Sequence, residues 1–186
     1  RYYDANKKFG ADIIVRITGD SILIDHKLVD EVIDLFTKKR VDYASNCQPV
    51  SFPDGLDIEV FSKKCLNDSY RLVKNKYDKE HVTSFMRSSN MFKKVNLKNN
   101  KDYSFLRWTL DQKEDLKVVE SILKYFGIKR YFSWEQILKL TQSNKKKFNA
   151  NIKIIRNEGA KMSKTQKLWK RAKEIIPGGN MLLSKK

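Results

Sequence analysis

Apolar runs of strand length alternate with segments of helical periodicity along residues 1–142. The alternation predicts strands in five stretches, at residues 13–17, 41–45, 56–61, 94–97 and 104–110. Between the strands, helices are predicted to begin after Asp25 and after Ser62, and a third is predicted to end at Gly127. This order of elements favours an α/β fold in which a mainly parallel sheet carries helices on both faces.

An acidic residue follows the first predicted strand directly. In the stretch VRITGDSILID the apolar run ends at Ile17, and Asp20 stands between Gly19 and Ser21. Gly-Asp-Ser is common turn chemistry, because glycine adopts positive φ and the other two side chains bond to nearby backbone. In an open α/β sheet, ligands also bind outside the carboxyl ends of strands, where a carboxylate can hold a metal ion on a nucleotide. This stretch alone leaves both interpretations open.

A second acid occupies the corresponding position after the predicted strand at 104–110. Asp111 lies in WTLDQKEDL, at the start of the next helix. Parallel strands place their carboxyl ends on one edge of a sheet, so Asp20 and Asp111 can converge on one Mg²⁺ ion, which prefers hard oxygen ligands. The alternative is that Asp111 only caps the helix that follows it.

A third group of acidic residues lies in FPDGLDIEVF. Asp54 stands between a proline and a glycine, which is a strong turn signal, whereas Asp57 and Glu59 are predicted to share one face of a strand. Two carboxylates are costly on a buried face unless they are paired, so this face is a candidate polar pocket. His81, in EHVTSFMR, is either a further site residue or a helix-surface or satisfied core histidine.

The positive charge is concentrated at the C-terminal end. The formal net charge is +17, but residues 1–137 contain 25 Lys and Arg against 20 Asp and Glu, and residues 138–186 contain 14 against 2. The basic end has few aromatic residues and no nucleic-acid-binding motif, which favours a solvated segment and predicts no nucleic-acid partner. We therefore predict a domain at 1–142, a basic linker at 143–162 and a further helix at 163–186.

Cysteine usage and hydropathy indicate where the protein resides. Cys47 and Cys65 lack metal-ligand spacing and are predicted to be reduced thiols. No run approaches the roughly 18 apolar residues of a membrane span, and no signal peptide is visible. These features predict a cytoplasmic protein without a membrane partner.

Four stretches together resemble one enzyme family. VRITGDSILID, FPDGLDIEVF, EHVTSFMR and YSFLRWTLDQKEDL, in this order and spacing, are similar to the cytidylyltransferases of spore-coat polysaccharide biosynthesis, relatives of the CMP-sialic acid and 3-deoxy-manno-octulosonate cytidylyltransferases. The likeness covers about residues 1–140. It implies part of a Rossmann-like nucleotidyltransferase domain that binds CTP and Mg²⁺. A sugar hydroxyl would attack the α-phosphate, and pyrophosphate would leave.

The resemblance also implies roles for individual residues. Asp20 and Asp111 are the metal-binding acids. Five further residues are candidates for binding the substrate, and the sequence does not distinguish their individual roles: Asp54, Asp57, Glu59, His81 and Arg107. The arginine is expected to contact an anionic group. A second copy of the chain is a further candidate partner.

Family members open with a strand and a glycine- and basic-rich loop that wraps the triphosphate, and this sequence shows no such loop. Without the loop, the groups that would bind the β- and γ-phosphates are missing from the sequence. No residue is therefore assigned a catalytic role, and the isolated chain is expected to be inactive.

The C-terminal stretch carries a second resemblance. SKTQKLWKRAKEIIPGGNMLLSKK is similar to the start of class III aminotransferases of the glutamate-1-semialdehyde aminomutase type. This implies a fusion to a PLP enzyme whose cofactor site lies beyond residue 186, so no lysine of this sequence is assigned to PLP.

Two rival functions remain open. One is a nucleotide-sugar glycosyltransferase of similar fold, which is expected to carry a DxD-type pair of acids where GDS has one. The other is a non-catalytic nucleic-acid-binding or scaffold module driven by the basic end. Steeply salt-dependent binding to arbitrary DNA would favour the second rival.

Overall fold

The computed structural model describes residues 2–75, 78–79, 83–127 and 131–156. His81 and the predicted helix at 163–186 lie outside these described residues. Residues up to Ile152 form one compact unit. Within the described part of the chain, no helix is long and apolar enough to cross a lipid bilayer.

The elements alternate between helix and strand. The described part begins with helix α1 (Tyr2–Phe9), strand β1 (Ile13–Arg16) and helix α2 (His26–Lys39). It continues with β2 (Tyr43–Ser45), β3 (Glu59–Ser62), α3 (Lys63–Leu72), α4 (Ser84–Ser88) and β4 (Lys94–Asn96). It ends with α5 (Lys113–Phe126), α6 (Trp134–Ser143) and a 3₁₀ helix (Lys145–Phe148). The predicted α/β class is confirmed.

The four strands form one mixed sheet in the order β1-β3-β2-β4. β3 is antiparallel to both of its neighbours, β1 and β2, whereas β2 and β4 are parallel. The prediction of a mainly parallel sheet is therefore wrong, because β3 is inserted between β1 and β2 in the reverse direction. β1, β2 and β4 nevertheless run the same way, so their carboxyl ends share one edge of the sheet. At this edge Arg16, Glu59, Ser45 and Asn96 are aligned across the four strands.

Caps fix the ends of the helices that flank the sheet. Asp25 is the N-cap of α2, and its second oxygen accepts a hydrogen bond from the backbone N–H of Trp134 at 2.8 Å, at the start of α6. Ser62 caps α3 through its hydroxyl. Gly127, with φ +61°, ends α5. The three predicted helix ends are confirmed.

Two apolar cores cover the two faces of the sheet. Alternate residues of a strand point to opposite faces, so Ala44 and Val60 belong to one core and Tyr43 and Phe61 to the other. The larger core includes buried residues of α2, α5 and α6, and the smaller core includes buried residues of α3 and α4. Helices therefore lie on both faces, as predicted.

Residues 104–110 do not form the predicted strand. Their backbone pairs with the loop at Asp54: the N–H of Asp54 donates to the carbonyl of Leu106 at 2.9 Å, and the N–H of Trp108 donates to the carbonyl of Asp54 at 2.7 Å. Because a loop supplies the partner instead of a strand, only an isolated bridge forms between Asp54 and Arg107.

Gly55 allows this segment to approach the loop closely. Its φ is +98°, and a Cβ at this position would lie 2.5 Å from the backbone nitrogen of Thr109. A side chain would therefore displace the segment that carries Arg107 and Asp111.

The compact unit extends past the predicted domain end at residue 142. Phe148, in the 3₁₀ helix, packs into the larger core. Asn151 is buried and donates a hydrogen bond to the carbonyl of Arg107 at 2.9 Å. In the first part of the predicted linker at 143–162, Phe148 and Asn151 are buried, whereas the lysines and most of the other described residues are exposed. Residues 157–186 lie outside the described residues, and the boundary at 162 stays a prediction.

Candidate functional site

Asp20 lies in the turn that follows β1. The N–H of Ser21 donates to the carbonyl of Thr18 at 3.1 Å, and the hydroxyls of these two residues are 3.0 Å apart. The carbonyl of Asp20 accepts from the N–H of Leu110 at 3.1 Å, which fixes the backbone next to Asp111 to this turn. The two predicted metal-binding acids therefore lie side by side at the end of β1.

The two carboxylates are close enough to share a hydrogen bond, and Asp20 affects the ionisation of its neighbour. Burial and the negative charge of Asp20 raise the pKa of Asp111 above its ordinary value, while Arg107 opposes the rise. The Oδ1 atom of Asp20 is buried and has no hydrogen-bond partner among the described residues. A cation between the two side chains would relieve both the repulsion and the unsatisfied oxygen.

The donor set fits Mg²⁺. This ion binds proteins through one or two carboxylates and completes its octahedral shell with water and phosphate oxygens. Within residues 2–75, 78–79, 83–127 and 131–156, no group of three or more His, Cys, Asp and Glu side chains could hold a metal. The Asp20–Asp111 pair therefore suits an ion whose remaining ligands come from a bound nucleotide and water.

Asp111 is not the N-cap of α5. Gln112 is the N-cap, in a reciprocal capping box with Asp115. The side chain of Asp111 is 46% exposed and is turned toward Asp20 and Arg107. The capping alternative for Asp111 is therefore wrong.

Arg107 binds Asp111 of this pair and two further carboxylates, Asp54 and Asp115. Its Nε and Nη2 atoms donate to Asp115 at 2.8 and 2.9 Å. Nη1 donates to Asp54 at 2.8 Å, and Nη2 also donates to Asp111 at 2.9 Å. The arginine side chain is only 6% exposed, so these bonds are largely shielded from water and fix the position of Asp111. The predicted contact between Arg107 and an anionic substrate group stays a prediction.

Asp115 and Asn151 complete the network, and neither was predicted from the sequence. Asp115 is fully buried and accepts hydrogen bonds from Arg107, from Asn151 and from the backbone N–H groups of Asp111 and Gln112. Burial opposes its ionisation, but these hydrogen bonds lower the pKa of Asp115 below its ordinary value. The spacing of four residues between Arg107, Asp111 and Asp115 was a visible signal, whereas nothing in the sequence marked Asn151.

Asp54 and Glu59, two of the predicted sugar-side acids, bind different partners. Asp54 belongs to the Arg107 network. Asp57 lies before the start of β3, so the prediction that it shares a strand face with Glu59 is wrong. Glu59 is 2% exposed and accepts hydrogen bonds from Arg16 and from the hydroxyl of Tyr43. No described contact joins Glu59 to the acid pair.

Comparisons with known proteins extend this description. A family model described as cytidylyltransferase matches residues 1–168. An uncharacterized protein of Methanocaldococcus jannaschii is 33% identical over 131 residues, which are 69% of this chain and 53% of that protein. A solved structure of a cytidylyltransferase from Leptospira borgpetersenii has a TM-score of 0.75 and 33% identity, and the match covers 79% of this chain and 63% of that one. The chain thus spans about half the length of the curated relative it matches.

Proposed function

The chain belongs to the cytidylyltransferase family, and on this basis we propose that it provides part of a site that transfers CMP from CTP to an acidic or acylamino sugar. Pyrophosphate is the second product. The activated sugar would serve surface polysaccharide synthesis.

The observation that carries the proposal is the convergence of Asp20 and Asp111. They are 91 positions apart in the sequence, yet the bond between the Asp20 carbonyl and the Leu110 N–H brings them together. One of the pair has a raised pKa and the other has an unsatisfied buried oxygen. Both features support a divalent cation between them, which is the cofactor that a triphosphate substrate requires.

The proposed reaction is a substitution at the α-phosphorus of CTP. A bond forms from the sugar hydroxyl oxygen to this phosphorus, the bond to the bridging oxygen breaks, and the hydroxyl proton passes to solvent. When bound by Asp20 and Asp111, Mg²⁺ would neutralise charge on the phosphates.

The chain's own residues position the ligands for this ion. Arg107 opposes the rise in the pKa of Asp111 and so favours the ionised form of this carboxyl. Asp115 accepts from the guanidinium of Arg107, and Asn151 donates to Asp115 and to the backbone carbonyl of Arg107, so both residues limit the movement of the arginine. The result is a preorganised carboxylate at the position where charge must be neutralised.

The assignment of the sugar-side residues remains part of the proposal. Asp54 accepts from the buried Arg107, and Glu59 accepts from the half-buried Arg16 and from Tyr43, so we assign both acids to positioning other side chains. Asp57 is half-buried and, together with His81, is retained as a direct contact to the sugar. The fusion to a PLP aminotransferase after residue 162 also remains a prediction, and its residues lie outside the described part.

Pyrophosphate release tests the proposed activity. The full-length gene product is incubated with CTP, Mg²⁺ and a panel of acidic, acylamino and neutral sugars. We expect release that depends on both the sugar and Mg²⁺. Asp20→Asn and Asp111→Asn should each lower kcat by about a hundredfold or more, because each removes a ligand that acts on transition-state charge.

Asp34→Asn is the matched control. Asp34 is exposed on α2, and among the residues that the structure describes its side chain pairs only with Lys38, one turn away, at 2.9 Å. This variant should keep wild-type turnover. Full activity of Asp111→Asn would contradict the proposal, and so would pyrophosphate release that no sugar stimulates.

A further inference from the structure

The end of the compact unit returns to the metal-binding acids through one buried side chain, that of Asn151. Its exposed fraction is 4%, and Phe148, in the preceding 3₁₀ helix, anchors this part of the chain in the larger core. The amide nitrogen of Asn151 donates to the carbonyl of Arg107 at 2.9 Å and to Oδ1 of Asp115 at 2.8 Å. Because a side-chain amide has two N–H donors, both are used to hold the segment that carries Asp111.

Asp115 links this contact to the backbone of Asp111. Its Oδ1 atom accepts from Asn151 and from Nε of Arg107. Its Oδ2 atom accepts from the N–H groups of Asp111 at 3.1 Å and of Gln112 at 2.9 Å. One rigid carboxylate therefore joins Asn151 to the main chain at Asp111.

Arg107 links the same carboxylate to the side chain of Asp111. Its Nη2 atom donates to Oδ2 of Asp115 and to Oδ2 of Asp111, at 2.9 Å each. The side chain of Asp111 is 46% exposed, so water competes for its oxygens, and the bond from Arg107 orients it. A metal ligand that is already oriented loses less conformational freedom when the ion binds, and it therefore binds the ion more tightly.

We propose that Asn151 is a positioning residue for the metal ion. By fixing Arg107 and Asp115, it keeps the carboxylate of Asp111 oriented for the ion and so raises the affinity of the Asp20–Asp111 pair for Mg²⁺. Asn151 is uncharged, so its replacement alters the position of the ligands and leaves the charge of the site as it is. The inference rests on the proposed function, because it takes the two acids as ligands of the ion, and it adds to the metal site a residue beyond the predicted domain end at 142.

The alternative is that Asn151 only satisfies buried polar groups and stabilises the fold. Both interpretations predict a lower melting temperature for Asn151→Ala, because the change removes two buried hydrogen bonds. They differ in the metal affinity of the folded protein, which only the positioning role lowers. Residues that hold a metal ligand directly contribute about tenfold to a hundredfold to metal affinity, and Asn151 acts one contact further out, so we expect an effect of about threefold to tenfold.

Titration of the ¹⁵N-labelled 186-residue chain with Mn²⁺ alone measures this affinity. The paramagnetic ion broadens nearby amide signals, so an apparent Kd follows from the signals of Gly19 and Gln112, which flank the two acids in the sequence. We expect Asn151→Ala and Asn151→Leu each to raise this Kd about threefold to tenfold. Leucine keeps most of the volume of asparagine, so agreement between the two variants assigns the effect to the lost hydrogen bonds and not to a cavity. Thermal melts fix a temperature at which every variant is folded.

Val32→Ala is the matched control for a loss of stability. Val32 is 0% exposed, on α2 in the larger core, so the change lowers the melting temperature by leaving a cavity in that core. Its Kd for Mn²⁺ should equal that of the wild-type chain. An unchanged Kd in Asn151→Ala, or an equal rise in Val32→Ala, would overturn the positioning role. A rise in Asn151→Ala that Asn151→Leu does not share would overturn it as well.

The outcomes also separate this inference from the proposed function. If Asp111→Asn abolishes the broadening but Asn151→Ala binds Mn²⁺ as the wild type does, the shared metal site stands and the positioning role fails. If the affinity for Mn²⁺ depends on Asn151 but no sugar stimulates pyrophosphate release, the positioning role stands and CMP transfer fails. Broadening in the wild-type chain that does not depend on Asp111 would overturn the positioning role together with the shared metal site.

Discussion

Replacement of Arg107 by methionine should destabilise the fold in a pH-dependent way. The change removes four hydrogen bonds to Asp54, Asp111 and Asp115 while keeping most of the volume of the side chain. Asp54 and Asp115 are 8% and 0% exposed, so two largely buried carboxylates lose their cation. Breaking such a pair from one side costs about 3–5 kcal/mol. Asp111 is left out of this estimate because solvent screens its half-exposed carboxylate.

The pH dependence follows from the lowered pKa of Asp115. A carboxyl whose pKa is depressed in the folded state stabilises the fold above its ordinary pKa of about 4, and this contribution is lost as pH falls through the folded value. In Arg107→Met, Asp54 and Asp115 lose the cation that favours their ionised forms. Protonation at low pH then removes the cost of burying their unpaired negative charges. The difference in the free energy of unfolding between wild type and variant should therefore be largest at pH 7 and should decrease toward pH 3.

Urea unfolding at several pH values measures this difference in the free energy of unfolding. At pH 7 the expected loss corresponds to a fall in melting temperature of about 10 °C for a unit of this size. Arg71→Met, at an exposed position on α3, is the control and should change stability little. A loss below about 1 kcal/mol at pH 7, or an equal loss at pH 3, would refute the reasoning about buried charge.

Three further changes test other contacts of the site, each by urea unfolding. In the absence of metal, Asp20→Asn should raise the free energy of unfolding by about 1 kcal/mol or less, because it removes a charge that repels Asp111. The same change should abolish the stabilisation of the fold by Mg²⁺. A lower free energy of unfolding without metal would contradict the repulsion between the two carboxylates. Asn151→Ala should cost about 1–3 kcal/mol, because a buried oxygen of Asp115 loses a donor at 2.8 Å, and a neutral effect would argue against the network. Gly55→Ala should cost about 1–3 kcal/mol from its positive φ and close backbone contact, whereas Gly19→Ala, where a Cβ would meet nothing within 4 Å, should cost less.

The proximity of Asp20 and Asp111 could be predicted from the sequence even though the predicted strand before Asp111 was wrong. The prediction relied on the carboxyl ends of parallel strands lying at one edge of the sheet, so that acidic residues directly after two such strands lie close together. Residues 106–110 reach the same arrangement through hydrogen bonds to the loops at Asp54 and Asp20, without forming a strand. Side-chain polarity at the end of a segment thus predicted more than the secondary structure of the segment itself.

The direction of β3 and the role of Arg107 could not be predicted in the same way. Thirteen residues separate β2 from β3, a length that permits either a crossover to a parallel strand or a long hairpin connection. Arg107 and Asp115 show a visible spacing, but the partner Asp54 is 53 residues away and Asn151 is 44 residues away. Such partners depend on tertiary packing, which local periodicity does not encode.

The central claim is that Asp20 and Asp111 together hold the metal ion that a cytidine nucleotide brings to the site. Nuclear magnetic resonance of the ¹⁵N-labelled chain, titrated with CTP and substoichiometric Mn²⁺ as a paramagnetic substitute for Mg²⁺, tests it directly. We predict that the amide signals of Gly19, Asp20, Asp111 and Gln112 broaden first, and that Asp111→Asn removes this selective broadening while Asp34→Asn keeps it. Broadening centred on other acidic residues, or unchanged in Asp111→Asn, would contradict the shared metal site.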